Sequence, residues 1–278
     1  MDFEKHLENQ LEKLLNNAPS NLAQAMRYSL LAPGKRIRPR LVQASARLLA
    51  LNDQAALPIA VAIEMFHCFT LIHDDLPCMD DDDFRRGKPS NHKVFGEAIA
   101  LLAGDALMAL AAEALLDAHA YVAPEFFSKG MRRFLEVAGP RGVMGGQAQE
   151  SLLQTNSPLE ELRLMHQKKT GVLFSASVLI PKDFAGISDT SSHGEALIAF
   201  SEALGEAFQV ADDLEDLLST PFEELRDSPI HILHYLSEKD AKDQTLQRLN
   251  AATQKLHERF EERASELLAI SEEVRKKL

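Results

Sequence analysis

The stretch Glu64-Met65-Phe66-His67-Cys68-Phe69-Thr70-Leu71-Ile72-His73-Asp74-Asp75-Leu76-Pro77-Cys78-Met79-Asp80 decides how this chain is read. Its first ten residues are apolar enough for a core helix. Pro77 cannot continue that helix: its ring would clash with the carbonyl of His73, and it donates no N–H. The helix is therefore expected to kink or end as Asp74 and Asp75 arrive. The negative end of the helix dipole then adds to the carboxylate charge. Carboxylates in such apolar company need a cation or an ionised partner. Asp80 to Asp83 follow at once, and Arg85-Arg86 close the segment, so acids suited to chelation sit beside guanidinium groups suited to phosphate. No register of this run puts Gly at position 6 and Glu at position 12 of a calcium loop, which excludes an EF-hand. The competing reading is a solvated charged loop between helices.

A second acidic run, Asp212-Asp213-Leu214-Glu215-Asp216, closes another apolar helical stretch. Asp212 and Asp216 are four residues apart and share a helix face, with Gln209 one turn earlier. Alone, the run could be an acidic surface stripe. Two such runs facing each other across a cavity would form a polynuclear Mg²⁺ site suited to a diphosphate.

Working outward, 3.6-residue periodicity dominates. It predicts helices over roughly 2–17, 20–31, 37–50, 54–73, 94–119, 124–138, 142–154, 158–168, 171–179, 192–217, 229–236 and 240–277. Pro33-Gly34, Pro58, Pro77, Gly139-Pro140 and Pro181 punctuate them. Ser20 and Ser157 are expected N-caps, the latter with Glu160 in a capping box. The fold class is all-α: one domain over residues 1–278, a single large helical bundle around a deep central apolar cavity.

The formal net charge of −12 argues against a nucleic-acid partner. Anionic small molecules remain open, because local Arg and Lys clusters override the global sign. Cys68 and Cys78 lack metal-site or disulfide spacing. The start Met1-Asp2-Phe3-Glu4-Lys5 lacks the form of a signal peptide. The apolar stretch from Ala98 to Leu116 carries Asp105 and Glu113 and is read as falling short of a membrane span. A reducing cytoplasm is the expected compartment.

Over residues 20 to 218 the chain resembles the trans-prenyltransferases, the short-chain isoprenyl diphosphate synthases. The resemblance rests on Gly34-Lys35-Arg36-Ile37-Arg38-Pro39, Asp74 to Asp80 with Arg85-Arg86-Gly87, Gly145-Gly146-Gln147, Lys169-Thr170-Gly171, and Phe208-Gln209 with Asp212, Asp213 and Asp216. The four residues between Asp75 and Asp80 are similar to the bacterial farnesyl diphosphate synthase subgroup. The resemblance implies that Asp74, Asp80 and Asp212 ligate Mg²⁺, three ions per active site with Mn²⁺ as an alternative. It implies that Asp75, Asp213 and Asp216 support them. Lys35, Arg38, His67 and Arg86 would hold isopentenyl diphosphate. Arg85 and Lys169 would grip the allylic diphosphate, and Thr170 and Gln209 would lie near the developing carbocation. His67 could otherwise be a satisfied core histidine, and Thr170 could mark a helix kink. Gly145 and Gly146 are read as permitting close helix packing. The family's homodimer is expected here as well.

The reaction so implied is ionisation, condensation and elimination, giving farnesyl diphosphate (C15). Phe69 lies five residues upstream of Asp74, roughly 7–8 Å below it on a helix. There it would floor the cavity and set chain length, with C10 as the other product compatible with that depth. After Asp216 the chain departs from the family pattern. The loop Leu217 to Ile230 is short, and Asp227, beside Arg226, stands where the family has a lysine. Glu150 replaces an expected Asp. The alternative is therefore a catalytically weakened paralogue acting as a partner subunit, and beyond it a class I terpene cyclase.

Overall fold

The computed structural model describes residues 3–15 and 19–278. Among these the chain is built of α-helices: α1 (Phe3–Leu15), α2 (Ser20–Leu30), α3 (Ile37–Leu48), α4 (Asp53–Asp74), α5 (Asn91–Phe95), α6 (Glu97–Leu116), α7 (Pro124–Ala138), α8 (Val143–Glu150), α9 (Leu159–His166), α10 (Val172–Phe184), α11 (Ser192–Glu215), α12 (Phe222–Asp227), α13 (Glu238–Phe260) and α14 (Ser265–Arg275). A two-residue hairpin, β1 (Phe84–Arg85) and β2 (Lys88–Pro89), pairs Phe84 with Pro89 and Arg85 with Lys88. The all-α expectation is met. The ends of the expected helix 2–17 lie outside the described residues.

The chain divides into two compact units, residues 1–43 with 52–124, and residues 44–51 with 125–278. In the first, α4 packs mainly on α6. Asn52 caps α4, its side chain accepting from Gln54 N at 2.8 Å. The helix ends at Asp74, with Leu76 N donating to His73 O at 3.1 Å, as the block at Pro77 requires. Two helical stretches, Asp53–Asp74 and Glu97–Tyr121, are long and apolar enough to cross a membrane. The second contains Ala98 to Leu116, which the sequence reading, noting Asp105 and Glu113, took as falling short of a membrane span; by length and composition alone it is long and apolar enough. The first is mostly buried in protein, which makes α4 a core helix, and the second is less so. α6 begins at Glu97 rather than 94 because Gly96, at φ +83, breaks it from α5.

In the second unit, α11 packs on α13 and α10. The helices expected at 158–168 and 171–179 are one continuous element. A π-helical segment, Gln167–Gly171, joins α9 to α10. The expected helix 229–236 is only a 3₁₀ turn at Ile232–His234, and the expected helix 240–277 breaks at Glu261, which takes φ +52. Pro58 and Pro181 lie inside α4 and α10 without ending them; flanking buried side chains outweigh the lost ladder bonds. Neither expected serine cap forms. Pro19 and Pro158 precede the helices, and Ser157 Oγ instead accepts from Gln154 N at 3.3 Å.

A buried ionic cluster ties α7 to the end of α10. Lys182 and Asp183 are both fully buried and paired at 2.9 Å. Lys129 reaches Asp183 at 3.0 Å and Asp189 at 3.2 Å, and Arg133 also pairs with both. Burial alone would raise the Asp189 carboxyl, but hydrogen bonds from Lys182 and Lys129 hold it at about 2.

Candidate active site

In the first unit, the turn after α4 folds back on itself. Asp80 N donates to Asp74 O at 2.9 Å, and Met79 N and Asp81 N both donate to Leu76 O. The backbone of Asp80 is thereby fixed beside that of Asp74, the half-buried last residue of α4. Asp75 behaves differently. It is 2% exposed and accepts from Arg85 Nε at 2.8 Å and from Arg85 Nη2. Burial raises its carboxyl above the ordinary range against the pull of Arg85. Arg85 also reaches Asp82 at 2.8 Å. Its guanidinium is thus held by the acidic loop itself, a partnership the residue types alone did not reveal.

Four arginines of this unit, Arg36, Arg38, Arg85 and Arg86, act on His67. Arg38 Nη1 lies 3.2 Å from His67 Nε2. An arginine can only donate, so that nitrogen accepts and the ring proton sits on Nδ1. Burial, then the charges of Arg38, Arg86, Arg36 and Arg85, hold His67 well below its ordinary 6.5. His67 is therefore a neutral acceptor within a cationic patch. Arg36 is anchored to Glu64, Leu30 O (2.9 Å) and Ala32 O (3.1 Å). Lys35 is exposed, and Arg86 Nη1 reaches Pro33 O at 3.5 Å. Phe69 is 3% exposed and edge-packed on Phe66 and His73 at ring separations of 5.2 and 4.7 Å.

In the second unit, a hydrogen-bond chain runs through three expected site residues. Thr170 Oγ1 donates to Gln209 Oε1 at 2.6 Å, and Gln209 Nε2 donates to Asp213 Oδ1 at 2.8 Å. Asp213 is 5% exposed and also accepts from Ile232 N at 3.0 Å through Oδ2. His231 Nε2 lies 2.8 Å from Asp213 O and 3.9 Å from Asp216 Oδ2. Asp213 is thus committed to holding the segment after α12, whereas Asp212 and Asp216 sit one turn apart at the end of α11. The sequence reading missed His231; its place between Pro229 and an apolar pair gave no periodic signal.

Lys169 stands on the π segment and pairs with Glu150 at 2.5 Å; Gln147 donates to the same carboxylate at 2.8 Å. Gly146 makes this crossing possible. A Cβ there would come within 2.4 Å of Lys169 N. The close-packing reading is thereby met for Gly146, whereas a Cβ on Gly145 would meet Pro140 O, in the turn before α8, at 2.0 Å. In the departing loop, Pro221 starts α12, which the sequence reading did not foresee. Arg226 is exposed and 3.5 Å from Asp227.

Each acidic motif offers carboxylate oxygens alone, the donor chemistry of Mg²⁺, and the folded-back Asp74–Asp80 turn brings two such residues to one place. The residues fit such a site.

The polyprenyl synthetase family profile matches residues 19–227. A chloroplastic geranylgeranyl pyrophosphate synthase of Capsicum annuum is 41% identical over 208 residues, 74% of this chain and 56% of that protein. The match thus spans little more than half of that relative's length. The farnesyl diphosphate synthase of Bacillus subtilis (strain 168) is 41% identical over 223 residues, 78% of this chain and 74% of its own. A crystal structure of a geranyltransferase from Legionella pneumophila superposes with a TM-score of 0.88 at 30% identity, covering 98% of this chain and 93% of that one. With the motifs, the all-α fold and these likenesses in agreement, the chain belongs to the polyprenyl synthetase family of prenyl-transferring enzymes.

Proposed function

We propose that this chain, acting over residues 1–278 as one polyprenyl synthase domain, condenses isopentenyl diphosphate with dimethylallyl and geranyl diphosphate to give farnesyl diphosphate. The observation that carries the C15 reading is Phe69. A buried ring one and a half turns upstream of Asp74 fills the depth a longer chain would need. The Bacillus relative's name agrees with this product, whereas the Capsicum relative's name points to C20.

Lys35, Arg38, His67 and Arg86 bind the isopentenyl diphosphate; the neutral His67 orients Arg38. Asp74, Asp80 and Asp212 hold Mg²⁺, with Asp216 in support, and Asp75 and Asp213 position the turns that carry them. Bound there, Mg²⁺ supplies Lewis-acid neutralisation of the departing diphosphate. Arg85 and Lys169 give charge-assisted hydrogen bonds to that leaving group. The Thr170–Gln209 pair directs its dipoles at the allylic cation, which apolar walls keep from water. The isopentenyl double bond then attacks the cation, and the proton lost passes to the pyrophosphate. Both cysteines are free, in keeping with a cytoplasmic setting. α6 exposes Leu101, Leu102 and Leu116, a face for the homodimer partner.

The test is turnover of purified protein with both substrates and Mg²⁺, with product length read by mass spectrometry. Farnesyl diphosphate as main product supports the reading, and a predominant C20 product overturns the length assignment. No turnover would favour the partner-subunit reading, which the Arg226–Asp227 pair and the Glu150 hold on Lys169 motivate.

A further inference from the structure

His92, in the first turn of α5, is 6% exposed, and neither of its ring nitrogens has a hydrogen-bond partner. An imidazole always carries at least one donor, and a neutral one also a lone pair. Burying both nitrogens without partners is destabilising, because each has given up water for nothing. Two exposed carboxylates lie against it: Asp81, Asp83 and His92 each offer a ligand atom, all within 4.8 Å of one another. Ser90 N donates to Asp83 O at 2.9 Å and Ser90 Oγ to Asp82 O, which holds the acidic loop over the start of α5. Asp81 takes φ +53, an uncommon conformation for a residue with a side chain. Lys93 pairs with Asp83 at 2.5 Å and must share that carboxylate.

We propose that Asp81, Asp83 and His92 form a binding site for a transition-metal divalent cation of the zinc class, separate from the Mg²⁺ carboxylates at Asp74 and Asp80. One imidazole nitrogen with two carboxylate oxygens is a zinc-type donor set, whereas Mg²⁺ takes oxygen donors. Tetrahedral bonds of about 2.0–2.1 Å set donors roughly 3.4 Å apart, so the two exposed carboxylates close by about 1.5 Å at most. Water completes the coordination. The bound ion satisfies a ring nitrogen of His92 and clamps the loop between the first acidic motif and α5. This assignment does not depend on the prenyltransferase reading.

The experiment is equilibrium dialysis of the full chain against ZnCl₂ in excess Mg²⁺, with metal counted by elemental analysis. The expected result is one zinc per chain in the wild type. Affinity falls at least tenfold in His92→Gln and in Asp83→Asn, and is unchanged in Asp212→Asn. Circular dichroism checks folding, and Asp83, being exposed, serves if His92→Gln misfolds. No zinc retained by the wild type, retention undiminished in the folded variants, or loss of zinc in Asp212→Asn would each overturn the assignment.

Discussion

Lys169 and Glu150 form an ion pair, Nζ to Oε2 at 2.5 Å, across the crossing of α8 and the π segment. A lysine proposed to grip a diphosphate is thereby held by a carboxylate it must leave or share. Glu150→Gln should free it. With a partly exposed pair worth about 1 kcal/mol, the KM for the allylic diphosphate should fall about fivefold with kcat little changed. Steady-state kinetics check this, and an unaltered KM would show that the pair does not compete with substrate.

Asp212 and Asp213 are neighbours with opposite tasks. Asp213→Ala strands Gln209 Nε2 and Ile232 N and should cost about 2–4 kcal/mol of stability. Asp212→Asn should leave the melting temperature nearly unchanged yet lower kcat by at least about a hundredfold. Chelation of divalent ions should abolish turnover, and Mg²⁺ should restore it. Thermal melts beside activity assays separate the two residues; equal stability losses would refute the division.

Phe69→Ala removes the ring at the depth where product growth should stop. The main product should lengthen from C15 to C20 or beyond, at a fold cost of about 3–5 kcal/mol. Mass spectrometry of products decides, and unchanged length in a folded variant removes Phe69 as the floor.

His67 links stability to pH. Its folded-state value lies well below 6.5, so on acidification the unfolded chain takes up the proton first. The unfolded state then binds more protons, and stability rises with pH across that window. The contribution is fully present above about 6.5 and is lost as pH falls from there through the lowered value. His67→Gln should flatten the dependence of the denaturant midpoint on pH below about 6.5. A slope identical to wild type would contradict it.

The end of α4 was legible because Pro77 acts locally, through its own ring and missing N–H. The acidic motifs were legible because carboxylates beside apolar helices demand explanation wherever the chain later goes. The π segment was not, since Gln167-Lys168-Lys169-Thr170-Gly171 contains no residue that forces an extra backbone step. The break at Glu261 was hidden for the same reason: left-handed φ is read from Gly or Asn, not from Glu. Residues 229–236 failed to form a helix because Asp213 pins Ile232 and His231 from far away in sequence. Likewise, the Asp75–Arg85 and Lys169–Glu150 partnerships are choices among several nearby charges, and only the folded geometry makes them.

The sealed charges at Lys182 and Asp183 carry an evolutionary consequence. Asp183 and Asp189 share Lys129, Arg133 and Lys182, so neutralising Asp183 alone leaves an excess of buried positive charge, a loss of about 3–5 kcal/mol, whereas exchanging the whole set for well-packed hydrocarbon is close to neutral. Positions 129, 133, 182, 183 and 189 should therefore drift as a linked group among descendants of this chain, with single-step intermediates selected against.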